Sequence, residues 1–111
     1  MKQCTSRSPV YVTLCVLGGK WKALILWHLL GRVMRFGELA REVRGITQKM
    51  LVQQLRELEA DGLISRKIYP EVPPRVEYTA TDYGLTLTPL LEAMEAWGKQ
   101  HQIHMQGQTG K

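Results

Sequence analysis

Acidic residues are missing from positions 1–22, a stretch that nevertheless holds Lys2, Arg7, Lys20 and Lys22. Cysteine is nearly as scarce. Two of them, Cys4 and Cys15 in 111 residues, cannot build a disulfide framework, and a reducing compartment would keep both as thiols. The longest strongly apolar run, ALILWHLL at 23–30, falls short of the ~20 residues of a membrane-spanning helix. No charged segment leading into an apolar stretch opens the chain. These absences predict a cytoplasmic protein without a membrane partner. No Ser, His and Asp grouping occurs, no glycine-rich phosphate loop follows a strand, and Glu92 and Glu95 have no evident partner, so neither an enzyme nor a cofactor is expected. His101 and His104 could clip a metal at i, i+3, but no third ligand accompanies them and no metal site is expected. His28 reads as a core or interface residue.

What the chain does have is enough length for one compact core, which predicts a single domain over 1–111. Its formal net charge of +5 favours a polyanionic partner. The charge is also unevenly placed. From Arg32 to Arg75 nine bases face six acids, whereas from Thr81 onward Asp82, Glu92 and Glu95 outnumber Lys99 and Lys111.

The apolar periodicity predicts mainly helices. PVYVTLCVL opens on Pro9, a good first-turn residue, places Val10, Leu14 and Leu17 on one face, and ends at Gly18 and Gly19. KWKALILWHLL is apolar nearly all round, as a central buried helix would be, and closes at Gly31. A short extended piece around VMRF precedes a brief helix, FGELAREV, with Leu39 and Val43 inward. In GITQKMLVQQLRELEADGLI, Thr47 has the place of an N-cap, with Ile46 and Leu51 spaced as a hydrophobic staple. Leu51, Leu55 and Leu58 form its buried stripe, and Gly62 has the place of a left-handed C-cap that lets Leu63 fold back on Leu58. At about 100° per residue, Lys49, Gln53 and Arg56 face away from that stripe, with Gln48 near the start and to one side.

Glutamine can pair with adenine and Lys or Arg with guanine in a major groove that admits one helix. Any surface helix carries such residues. Here, however, a short helix and a tight turn containing Gly45 come first, which is the helix-turn-helix arrangement. LISRKIY and RVEYTA then alternate apolar Ile64, Ile68, Val76 and Tyr78 with polar residues, as half-buried antiparallel strands do. Pro70, Pro73 and Pro74 stiffen the connection between them. A hairpin carrying Arg66, Lys67 and Arg75 beside a recognition helix is a wing, so the expected fold is α+β, mainly α: a winged helix-turn-helix. The expected DNA contacts are Thr47, Gln48, Lys49, Gln53 and Arg56 on the helix, and Arg35, Arg66, Lys67 and Arg75 on the backbone-facing side and wing. In TDYGLTLTPLLEAMEAWGKQH, Leu87, Leu90, Leu91, Met94 and Trp97 form an apolar stripe that is either core or interface, and Pro89 within it predicts a kink.

The runs VLGGKWKALILWHLL and MRFGELAREVRGITQKMLVQQLRELEADGLISRKIYPEVPPRVEYTATDYGLTLTPLLEAMEAW closely resemble the HxlR-type, MarR-like transcription regulators over about residues 8–98. The resemblance implies a DNA-binding homodimer on a palindromic operator, acting as a repressor of transcription, with flanking N- and C-terminal dimerisation helices contributing Tyr11, Leu14, Leu91, Met94 and Trp97. Short tails would lie at both ends. Many members carry a cysteine directly before the proline of the first helix; this chain has Ser8 there. Cys4 and Cys15 are then the available thiols for any electrophile or small-molecule effector, and Cys15, midway along an apolar helix, reads as a small buried hydrophobe. Two other uses of the same fold stay open: a winged helix that contacts only proteins, and a thiol-based sensor.

Overall fold

The structure, a computed structural model, describes residues 8–109. Its elements are α1 (Pro9–Leu17), α2 (Lys22–Leu29), β1 (Val33–Arg35), α3 (Phe36–Glu42), α4 (Gln48–Ala60), β2 (Ile64–Tyr69), β3 (Arg75–Ala80), α5 (Asp82–Leu85) and α6 (Thr88–Thr109). Among the described residues no single helix is long and apolar enough to cross a membrane.

The core gathers on α2, where Ile25, Leu26 and Leu29 are fully buried, and meets Leu39 and Val43 at the end of α3 and Leu51, Leu55 and Leu58 of α4. These α4 positions recur at i, i+4 and i+7, so one stripe is withdrawn from water at a gain of about 1.5–3 kcal/mol per leucine. Both ends of α4 close as the sequence predicts. The Thr47 hydroxyl accepts from the Met50 amide at 3.1 Å, and beyond Asp61 the chain turns at Gly62 (φ 76°) so that the Leu63 amide donates to the Leu58 carbonyl at 3.0 Å. That six-to-one bond satisfies a carbonyl that the helix end would otherwise leave orphaned.

The sheet has three antiparallel strands in the order β1-β3-β2. β3 is central, pairing Met34 with Tyr78 on one side and Arg66 with Tyr78 on the other. Met34 and Tyr78 point into the core. The extended piece around VMRF is thus the third strand, and it anchors the hairpin to the domain.

Four expectations change. Ile68 is 58% exposed, because beyond the first residues of β2 the hairpin leaves the core. Pro89 does not kink a helix: α6 begins at Thr88, so the proline falls in the first turn, where its missing N–H has no intrahelical partner to lose. A turn at Thr86 and Leu87 separates α5 from α6. Residues 99–109, expected as a tail, continue α6. Finally, Cys15 is half-buried rather than a core residue, and it is disulfide-bonded rather than a thiol. Cys4 lies outside the described residues.

Candidate nucleic-acid interface

The helix-turn-helix comprises α3, the turn through Gly45 and α4. Gly45 takes φ 89°, a left-handed conformation that side chains with a Cβ adopt only with strain. The turn lets α3 and α4 both pack on α2 while α4 keeps its other face outward. Lys49, Gln53 and Arg56 are exposed on that face, as are Gln48 and Thr47 at its start. The Thr47 hydroxyl is already engaged as the cap.

Behind the face lies a group that periodicity did not reveal. Lys22, the first residue of α2, is 2% exposed, yet its ammonium pairs with Glu57 Oε1 on α4. A buried charge is tolerable only when paired. The other carboxylate oxygen, Oε2, accepts from Gln53 Nε2 at 3.3 Å. The signal available in the sequence was a lone base at the head of an otherwise apolar helix, together with an acid four residues after Gln53.

The wing bases differ from one another. Arg66 is 46% exposed and lies 3.8 Å from Glu59 on α4, which ties β2 to that helix. Lys67 is exposed, its ammonium 5.0 Å from the Tyr69 ring centre. Arg75 is held more firmly: its guanidinium sits 4.0 Å over the Tyr69 ring and reaches Glu71 at 3.1 Å and Glu77 at 3.7 Å. Arg35 is exposed just before α3, where its amide donates to Glu38 Oε1 at 2.8 Å. It lines a groove with Phe36 and the wing tip from Glu71 to Val76. Burial pushes the Tyr78 phenol above its ordinary range, and Glu59 adds to the shift while Arg66 and Arg56 oppose it.

Away from α4 and the hairpin in the chain, Tyr11 and Leu14 of α1 are 52% and 59% exposed, and Met94 and Trp97 of α6 are 48% and 65% exposed. Leu91 departs from this group. It is 3% exposed and belongs to the protomer's own core, beside α2. Trp97 stacks on His101 with ring centres 5.0 Å apart, and His101 stacks in turn on His104 at 6.2 Å. Among the described residues no group of three or more His, Cys, Asp or Glu could hold a metal. His28 lies 3.6 Å from Glu42 through Nδ1.

Residues 16–106 match the profile of the HxlR-like helix-turn-helix proteins. The HTH-type transcriptional regulator YtcD of Bacillus subtilis is 52% identical over 100 residues, 90% of this chain and 79% of that protein. Among solved structures, a MarR-family transcriptional regulator from Porphyromonas gingivalis is 39% identical and superimposes with a TM-score of 0.82 over 89% of this chain and 97% of that one. The redox regulator HypR in its reduced form is 46% identical, with a TM-score of 0.84 over 90% of this chain and 99% of that one.

Proposed function

The chain belongs to the HxlR-like helix-turn-helix family of transcriptional regulators, and from that premise we propose that it binds a palindromic DNA operator as a homodimer and represses transcription there. One observation carries the reading: α4 buries Leu51, Leu55 and Leu58 while leaving Lys49, Gln53 and Arg56 together on its free face. Inserted in a major groove, that face offers a carboxamide for base edges and two cations for guanine or phosphate. Arg66 and Lys67 of the wing then reach the flanking backbone.

A second copy is the natural cover for α1 and α6. Leu14 and Met94, with Leu24 and Trp27, line an apolar groove of about 480 Å³, and Tyr11 and Trp97 are exposed on the same two helices. Apolar faces of this kind mark interaction sites, and a two-fold dimer would present two recognition helices to successive grooves. A gel shift with genomic fragments tests the proposal: retention of discrete fragments that survives excess competitor DNA is expected. Binding that competitor removes equally from all fragments would leave only a protein-contact module.

A second reading concerns control. Cys15 of α1 is disulfide-bonded, and HypR, a similar protein, is a redox regulator. Oxidation state at Cys15 would then set the position of α1, hence the spacing of the two α4 helices. Operator affinity measured with and without dithiothreitol decides this; equal affinity in both, matched by Cys15→Ser, would confine the cysteine to a packing role.

A further inference from the structure

Glu57 connects an interior cation to the outward face of α4. Its Oε1 pairs with the ammonium of Lys22, which is 2% exposed, and its Oε2 accepts from Gln53 Nε2 at 3.3 Å. We propose that Lys22, although it lies behind the helix and away from any DNA, is a specificity-determining positioning residue that fixes the Gln53 carboxamide through Glu57.

The argument is one of donors and acceptors. A carboxylate can only accept, and a carboxamide has one accepting end and one donating end. Glu57 can therefore meet Gln53 in one sense alone, with the Gln53 amine turned toward it and the carbonyl oxygen left outward. The second N–H of that amine stays beside the oxygen. An oxygen and an N–H side by side are what adenine requires, since its major-groove edge offers an N6 donor and an N7 acceptor. Left to itself, an exposed glutamine would sample both senses and several rotamers, and ordering it would weaken binding.

Lys22 explains why Glu57 stays in place. Glu57 is 36% exposed, on a face expected to approach phosphates, and an unpaired carboxylate there would turn away or repel DNA. Turning away would give up its ion pair with an ammonium that is 2% exposed, and breaking a pair to a buried charge costs far more than losing a surface ion pair. The buried cation thus pins the acid, and the acid orients the reader.

This inference rests on the reading of α4 as the helix that contacts bases, and its test separates the two. The probe is a duplex selected by the wild-type chain from a random-sequence library, together with its single-base-pair variants and a scrambled duplex. Gln53→Ala identifies the base pair at issue by lowering discrimination there about fivefold or more. Lys22→Met is expected to lower discrimination at that same base pair and no other, with scrambled-duplex binding nearly unchanged. Glu57→Gln should do something a merely structural lesion cannot. With its oxygen claimed by Lys22, the new amide offers a donor to Gln53, turns that carboxamide round, and changes which base is preferred. Glu57→Gln keeps the size of the side chain and carries the test alone if Lys22→Met does not fold. Wild-type preference in both variants at the pair where Gln53→Ala loses it would overturn the relay and leave the α4 reading intact, as would an equal loss at every base pair. No loss for Gln53→Ala at any base pair would overturn both.

Discussion

Gly84 of α5 lies against the backbone of Leu63: a Cβ at residue 84 would stand 2.1 Å from the Leu63 carbonyl oxygen and 3.0 Å from its carbonyl carbon. The contact is held from both sides. Thr81 donates its amide to Leu63 O at 3.0 Å and its hydroxyl to Gly62 O at 2.6 Å, and the same hydroxyl accepts from the Gly84 amide at 2.9 Å. The strand exit and the end of α4 are thereby fastened together.

Gly84→Ala should therefore destabilise the fold by about 1–3 kcal/mol, since the obstacle is backbone rather than a side chain that can swing aside. At fixed protein concentration the melting temperature should fall by several degrees per kcal/mol, about 4–8 °C for a domain of this size. A melting temperature unchanged within about 1 °C would show that α5 shifts freely, contrary to this packing.

Much of the recognition element was legible in the sequence because its rules are local. Thr47, the Leu51, Leu55 and Leu58 stripe, and Gly62 followed by Leu63 each announce a helix end or face within a few residues. What was not legible depends on contacts distant in sequence. Nothing near Val33 says that it will pair with Thr79, or that the third strand will sit beside β3. Ile68 alternates correctly for a half-buried strand, yet no element among the described residues covers it. Pro89 looks interior to a helix in the sequence because the apolar stripe begins at Leu87; the helix itself begins at Thr88. The Lys22–Glu57 pair joins residues 35 positions apart, and no periodicity links them.

The wing offers a sharper forecast than composition allowed. Lys67 and Arg66 are the bases with exposed heads, so each Ala substitution should weaken binding to specific and scrambled duplexes alike. Each should also make the salt slope shallower by about one unit per contact per subunit. Arg75, shared between Glu71, Glu77 and the Tyr69 ring, should behave differently: Arg75→Ala should loosen the hairpin while changing the slope by less than Lys67→Ala. Affinities over a range of salt concentrations measure both, and a larger slope change for Arg75→Ala would place its guanidinium on phosphate.

Tyr78 sets an alkaline limit. Its phenol is held above the ordinary value chiefly by burial, so the folded chain keeps a proton that the unfolded chain gives up near pH ~10. Folding stability from this group is complete below that pH and is lost as pH rises through the folded value. Tyr78→Phe should flatten this part of the stability profile. Urea titrations from pH 8 to 11 check it, and an equally steep alkaline loss in the Phe variant would move the cause elsewhere.

The exposed apolar positions of α1 and α6 carry the remaining prediction. Trp97 at 65% and Met94 at 48% exposure stabilise little in an isolated protomer, so replacing either should barely affect its folding. In a two-fold dimer each would lie near its own counterpart or an apolar neighbour. Trp97→Glu or Met94→Glu would then bury a carboxylate without a partner and, close to the axis, set it against its own image. Sedimentation at micromolar concentration should show the wild type as a dimer and both variants shifted toward monomer, with helical content preserved. Leu91→Glu should instead unfold the chain, because Leu91 is 3% exposed within the protomer. Operator binding should fall with dimerisation in the two surface variants, since a lone protomer reaches one half-site. Dimers that persist in folded Trp97→Glu and Met94→Glu would place the contact on another face.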